Sequence, residues 1–273
     1  MTIGVTGAKG FIGTYLVREM NRLGLDTKIF DGNLSDIGSV DSFLEGCDMI
    51  IHLAGNLSNN FGDLLEANVM GTHNLVESSK RHHLKKIIFT SSGAVYGEPI
   101  NGNISYESDV PSPNTLYGLS KLYAEEYLNF SGISYTILRF PNVYGPGNKK
   151  GVIYNFIKSI NESGRVNILG SGDQKRNFLY VEDAVDALIK SIDLIETKEI
   201  FNIADDSLYS ILDVVSEMRK QGLNFEVEYH EADKTNQLKV LSEDIQKAYS
   251  ILKWKPQVSL PQGLEMTIDS LIS

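Results

Sequence analysis

The 273-residue sequence predicts an α/β protein built on an open parallel sheet, with a smaller, partly interleaved lobe toward the C-terminus. Three observations carry that expectation. The chain opens with a short apolar strand that runs into glycines at 7, 10 and 13, and then into a helix-spaced apolar series, Ile12, Leu16, Met20 and Leu23. Short apolar runs alternate with helical stretches as far as Phe140, the order that parallel strands need for their crossovers. From Gly151 onward this pattern gives way to shorter strands and turns.

In the opening element, glycine allows a tight turn, and a missing side chain lets backbone approach a pyrophosphate. The start of the helix offers free N–H groups and a positive dipole end. Next, 26–30 reads as a second strand ending at Asp31, with Gly24 suited to the helix exit before it. A carboxylate about 20 residues past the glycines is where a dinucleotide fold binds the adenosine ribose hydroxyls, so Asp31 favours NAD over NADP. A turn aspartate before Gly32 is the plainer alternative, and Lys9 in the glycine turn is placed to assist an NADP phosphate.

A helix is expected near Val40–Leu44. The run 48–55 reads as a buried strand ending in small residues, which let a cofactor lie close. A helix over 64–80 and a strand over 85–92 follow, with Ser91 and Ser92 at the carboxyl end where open sheets place ligands. Leu116–Phe130 reads as a helix carrying Tyr117 and Lys121 on one face. The strand 133–140 then runs into an irregular loop, 141–147. Beyond it come a helix near 152–162, a strand 166–169 and a turn 170–173. A helix 182–195, a strand 199–203 able to rejoin the main sheet, a helix 211–220, a strand 225–229 and a C-terminal segment complete the series. These suggest a dinucleotide domain over 1–150, a lobe mainly over 151–273 with 176–205 partly returning, and a substrate crevice between them.

Composition narrows the classes. Hydrophobic content of 42% and charged content of 22% are those of a globular protein. A net charge of −10 and a pI near 5.0 argue against a general nucleic-acid or anionic-membrane surface. An anionic small ligand held by backbone amides and a few arginines remains compatible. Cys47 is the single cysteine, so no intrachain disulfide forms and a reducing compartment fits. With the first strand starting at residue 2 and no apolar run of membrane-spanning length, a cytoplasmic protein is expected. His52, His73, His82, His83 and His230 show no metal-ligand spacing.

The strongest constellation is Ser92 with Tyr117 and Lys121. A phenol titrates near pH 10, too high for a base at neutral pH. A nearby ammonium and the positive charge of an oxidised nicotinamide would stabilise the phenolate. Tyr117 could then take a proton from a sugar hydroxyl, with Ser92 bonded to the same oxygen. Alone, a Tyr-x-x-x-Lys pair is mostly a surface helix pair; behind a nucleotide turn and in this order it is a catalytic candidate.

At these residues the chain resembles the extended short-chain dehydrogenase/reductases of the nucleotide-sugar epimerase/dehydratase family. The likeness rests on Thr6-Gly7-Ala8-Lys9-Gly10-Phe11-Ile12-Gly13, on 52–55, 68–71 and 91–97, on Tyr117-Gly118-Leu119-Ser120-Lys121, and on 139–147, 176–183 and 252–256. It implies a Rossmann-type doubly wound sheet with a small C-terminal substrate lobe, a bound NAD (or NADP) and an NDP-sugar substrate. Gly7, Gly10, Phe11, Ile12, Gly13 and Asp31 would bind the adenosine pyrophosphate, with Asn33 and Leu34 near adenine. Leu53, Ala54, Gly55, Asn68, Ser91 and Phe140 would line the cofactor, and Tyr117 and Lys121 would flank the nicotinamide, Lys121 holding its ribose. Ser92, Asn142 and Arg176 would contact substrate, the last two at its diphosphate. A homodimer through the helices near 64–80 and 116–130 is also implied.

Family dehydratases carry an Asp-Glu pair where this chain has Gly93 and Ala94, and family decarboxylases use a glutamate at the position of Ala94. Ser92 and its spacing to Tyr117 match the 4-epimerases. A 4-epimerase is therefore expected. The compressed region after Asp31 resembles the family's 4-keto-sugar reductases, which are the alternative. A non-catalytic nucleotide-binding regulator is a third reading, which predicts a damaged triad.

Overall fold

The protein is described from a computed structural model covering residues 1–99, 104–231 and 240–272. Strand β1 (Ile3–Thr6), fully buried, leads through the glycine turn into α1 (Phe11–Arg22) and then β2 (Thr27–Ile29). Asp36 caps α2 (Ile37–Leu44) by accepting the Gly38 N–H, and β3 (Met49–His52) follows. A short α3 (Phe61–Leu64) runs through a π turn, Leu65–Met70, into α4 (Gly71–Arg81). Then come β4 (Lys86–Ser92), α5 (Leu116–Phe130) and β5 (Ser134–Phe140).

The rest of the chain comprises β6 (Asn142–Tyr144), α6 (Gly151–Ser163), β7 (Arg165–Leu169), β8 (Lys175–Arg176), β9 (Phe178–Tyr180) and α7 (Val181–Ser191). It continues with β10 (Lys198–Asn202), β11 (Tyr209–Ser210), α8 (Ile211–Lys220), β12 (Glu226–His230), β13 (Val240–Leu241) and α9 (Leu260–Ile272). Among the described residues, no helix is long and apolar enough to cross a membrane.

The central sheet is parallel throughout, in the order β10-β5-β4-β3-β1-β2. From β1 the chain steps outward to β2, then returns across β1 to β3, so the strand order reverses between β1 and β3. Crossovers on either side of that reversal leave a crevice at the carboxyl ends of the strands. The compressed region after Asp31 has a structural counterpart: β2 is only three residues long and forms the sheet edge, and α2 leads directly back to β3. A short edge strand offers little to a foreign chain.

Apolar side chains fill both faces. Leu16, Met20, Leu188, Phe201 and Trp254 pack on one, while Val40, Leu44, Leu75 and Leu128 pack on the other. A third core, including Phe156, Val166, Phe178, Val214 and Leu264, belongs to the smaller lobe. Two-residue strands β8, β11 and β13, and the parallel pair β6–β9, escape sequence reading because such short runs have no periodicity to detect. The helix expected over 64–80 contains the π turn instead of a straight run. That turn brings Asn68 inward, where it is 2% exposed and bonded to Asn56 and Ser120.

Trp254 is fully buried, and its indole Nε1–H donates to the Asp183 carbonyl at 3.0 Å. The Asp183 carboxylate accepts the Gln257 and Val258 N–H groups, each at 3.0 Å, so the C-terminal return is stapled to the first turn of α7. Trp254→Ala is expected to lower unfolding free energy by about 3–5 kcal/mol in denaturant titration.

His52 is likewise fully buried, with Nδ1 at 2.7 Å from Thr6 Oγ1 and Nε2 at 3.0 Å from Thr72 Oγ1. Burial, aided by the charge of Lys121, pushes its pKa down to about 3, so the folded protein holds it neutral. The unfolded chain takes up that proton near pH 6.5, so this contribution to stability is full above that pH and lost as pH falls toward 3. Wild type is expected to lose more stability between pH 6.5 and 4 than His52→Gln; equal slopes in acid-denaturation series would rule the linkage out.

Candidate active site at the carboxyl edge of the sheet

The site begins where β1 meets α1. Gly7 turns with φ +71°, a left-handed conformation, and the Gly10 N–H returns to its carbonyl at 2.9 Å. No side chain caps α1 at Gly10, leaving its first N–H groups open to a ligand. A methyl on Gly13 would sit 2.1 Å from the Gly7 carbonyl oxygen, and one on Gly7 would sit 2.6 Å from the Ala54 nitrogen. Only glycine permits this approach, and the resulting cradle of backbone donors fits a dinucleotide pyrophosphate.

At one end of the cradle, a recess of about 480 Å³ is bounded by Gly7, Asp31, Asn33, Leu34 and Ala54 among others. The structure thus brings Gly7, Gly10, Asp31, Asn33 and Leu34 together, while Phe11, Ile12 and Gly13 line the adjoining cleft. Lys9 Nζ lies 2.6 Å from both Asp31 oxygens, an exposed pair across the mouth of the recess. Leu34 is held in place by its carbonyl, which accepts from Asn74 Nδ2 at 3.0 Å.

The other side is a cleft of about 770 Å³ whose lining includes Phe11, Ile12, Leu53, Gly55, Ser91, Ser92, Tyr117, Lys121, Phe140 and Asn142. Thr115 caps α5 by accepting the Gly118 N–H at 3.0 Å, which places Tyr117 in the first turn and Lys121 one turn deeper. Lys121, 5% exposed, donates to the Thr90 carbonyl at 2.9 Å and lies 4.8 Å above the Phe89 ring. A methyl on Gly55 would stand 3.2 Å from Lys121 Nζ and 3.2 Å from Asn68 Oδ1, so strand, π turn and α5 meet at a glycine. Asn68 Nδ2 donates to Ser120 Oγ at 2.9 Å, and Ser120 Oγ donates to the Tyr117 carbonyl at 2.8 Å.

Burial raises the Tyr117 phenol to about 12, with a hydrogen bond from Ser92 pulling the other way. Burial also lowers Lys121 to about 8, partly offset by the Glu125 carboxylate. The protein's own groups thus raise the Tyr117 phenol, whereas the expected lowering joined Lys121 to the positive charge of an oxidised nicotinamide. The physical reason is that burial removes the water that would solvate the phenolate.

Arg176 stands apart from the cleft lining. It lies on β8 in the small β11-β8-β13 sheet, donating from Nη1 to the Lys175 carbonyl at 2.7 Å, with Glu243 in its field. Sequence reading missed Glu125, which continues the Tyr117–Lys121 spacing by one more turn, and Arg139, a charge inside an apolar strand. Those features were the available signals. No local pattern marks Glu243. Among the described residues, no cluster of His, Cys, Asp and Glu has metal-binding geometry.

The chain is 31% identical to a putative UDP-glucose 4-epimerase of Methanocaldococcus jannaschii, over 97% of this chain and 96% of that one. Its structure matches a UDP-glucose 4-epimerase of Thermotoga maritima, crystallised with UDP-glucose, with a TM-score of 0.93 and 27% identity, covering 100% and 99% of the two chains. MoeE5, in complex with UDP-glucuronic acid and NAD, matches with a TM-score of 0.92, 28% identity and the same coverage. The model of the NAD dependent epimerase/dehydratase family matches residues 3–204. That span contains all six strands of the central sheet, the glycine cradle and the Tyr117–Lys121 helix, and by it this chain belongs to the NAD dependent epimerase/dehydratase family.

Proposed function

We propose that the protein is an NAD-dependent 4-epimerase of a nucleoside-diphosphate hexose. The observation that carries this reading is the convergence of Ser92, Tyr117 and Lys121 in one cleft beside the glycine cradle. When bound, NAD supplies reversible hydride acceptance and, oxidised, a positive charge. Around it, Tyr117 takes the proton of the sugar 4-hydroxyl and returns it on the reverse step, while Ser92 bonds the same oxygen. Lys121, anchored on Thr90, supports the phenolate, which the neighbouring positive charge brings within reach at neutral pH. Asn142, on the cleft wall, grips the diphosphate, and Arg176 reaches it from the small β11-β8-β13 sheet outside the cleft lining, its guanidinium pairing with phosphate oxygens.

The activity is tested with a panel of UDP-, dTDP- and GDP-hexoses and substoichiometric NAD, read by chromatography. A C4 epimer in excess of the NAD supplied is expected. Net consumption of reduced cofactor on a 4-keto sugar, with no epimer from any hexose, would replace the epimerase with a reductase. Tyr117→Phe is expected to cut turnover at least 100-fold while cofactor affinity stays within about threefold; retained turnover would remove Tyr117 from its role.

The same reading includes a homodimer. Leu65, Met70, Leu119 and Tyr123 are exposed apolar side chains on α5 and on the π turn beside it. Light scattering at micromolar concentration is expected to give twice the 30.3 kDa chain mass, and a monomeric mass would exclude the dimer.

A further inference from the structure

Glu243 comes from the segment following β13, far in sequence from the catalytic residues, and ends against the catalytic edge. Its backbone is pinned from several sides. The Ser105 N–H donates to the Ser242 carbonyl at 2.8 Å, and the Asp244 N–H donates to the Ser105 carbonyl at 2.9 Å. The Glu243 N–H donates to Asn177 Oδ1 at 3.2 Å, and Asn177 Nδ2 is held by the Asp205 and Ser207 carbonyls at 2.6 and 2.9 Å.

From this anchorage the side chain, 7% exposed, reaches Gly93. A methyl built there would lie 1.9 Å from Glu243 Oε1, so the glycine beside Ser92 is what makes room for the carboxyl. Oε2 is buried with no hydrogen-bond partner among the described residues. A buried acceptor without a donor is costly, and a ligand hydroxyl would satisfy it. Burial pushes this carboxyl up to about 7, with Arg176 pulling it down. Among the described residues, Arg176 is the charged group set against it; Gly93, Ser105 and Asn177 carry no charge.

We propose that Glu243 forms a wall of the sugar subsite and selects a neutral hexose over a uronic acid. The inference rests on the reading above, in which Ser92 and Tyr117 hold the 4-hydroxyl and Arg176 the diphosphate. A carboxyl adjoining Ser92 and facing Arg176 flanks the pyranose ring between C4 and the phosphate-bearing C1. There Oε2 accepts a hydrogen bond from a ring hydroxyl. A uronate would set a second carboxylate into the same poorly hydrated space, where like charges repel strongly. MoeE5 is crystallised with UDP-glucuronic acid and also with UDP-glucose, so the shared fold admits both sugars and any preference must come from local groups. With Ala94 beside Gly93, this single carboxyl has no second one to pass a proton to, and no water loss is assigned to it.

The test measures dissociation constants of UDP-glucose and UDP-glucuronate by calorimetry on the NAD-loaded protein, at pH 8.5 and pH 6. Wild type is expected to prefer UDP-glucose at least tenfold at pH 8.5. The preference should narrow at least threefold at pH 6, where Glu243 gains a proton and the sugar acid remains ionised. Glu243→Gln should narrow it at least fivefold at pH 8.5 and remove its pH dependence, with a thermal melt confirming the fold. Equal affinities in wild type, or a preference unchanged by both pH and substitution, overturn the assignment. If the preference shifts as expected but UDP-glucose is never epimerised, the epimerase reading fails and Glu243 keeps its place. If neither sugar binds at millimolar concentration, the nucleotide-sugar reading and the assignment fall together.

Discussion

The active edge depends on one buried ion pair. Glu125 on α5 and Arg139 on β5, 3% and 2% exposed, meet with Arg139 Nη2 2.5 Å from Glu125 Oε2 and Nε 3.0 Å from Oε1. Ser91 Oγ donates to the same carboxylate. Because Ser91 pairs with Arg139 across β4 and β5, the contact locks three elements at the point where Ser92 leaves the sheet. The guanidinium also lies 4.6 Å over the Tyr96 ring, whose hydroxyl donates to Asn202 on β10 at 2.6 Å. The contact fixes the distance between α5 and β4, and with it the placement of Tyr117 and Ser92 in one cleft. Removing either charge would strand the other in a dry interior, at a cost of about 3–5 kcal/mol.

The same ion pair shapes the electrostatics one turn away. Lys121 is desolvated, and the Glu125 carboxylate is the group that favours its charged form. Helix α5 therefore presents phenol, ammonium and carboxylate in successive turns, with the carboxylate favouring the charged ammonium. The balance of burial and the Ser92 hydrogen bond holds the Tyr117 phenol above its ordinary range. Arg139 Nη1 has no partner among the described residues, a sign that the geometry serves the edge rather than its own full satisfaction.

Close approach is the second constraint. Gly7 and Gly13 let strand and helix touch, Gly55 lets the π turn and Lys121 converge, and Gly93 accepts the Glu243 carboxyl. The first three belong to segments legible as a nucleotide turn or a strand end. Gly93 carried no such sign, since its partner arrives from 150 residues later.

By itself the sequence determined the order of the central strands and the helices between them, the phosphate turn, the helix that carries Tyr117 and Lys121, and the likeness to a family. Each is a local pattern or a spacing within one element, governed by backbone sterics and by the periods of 2 and 3.6 residues. Tertiary structure decided what depends on distance between elements. It set the pKa values of Tyr117 and Lys121, the Glu125–Arg139 pair, the inward turn of Asn68, the separation of Arg176 from the open cleft, and the meeting of Glu243 with Gly93. Burial and charge act through space, and segments remote in sequence set both.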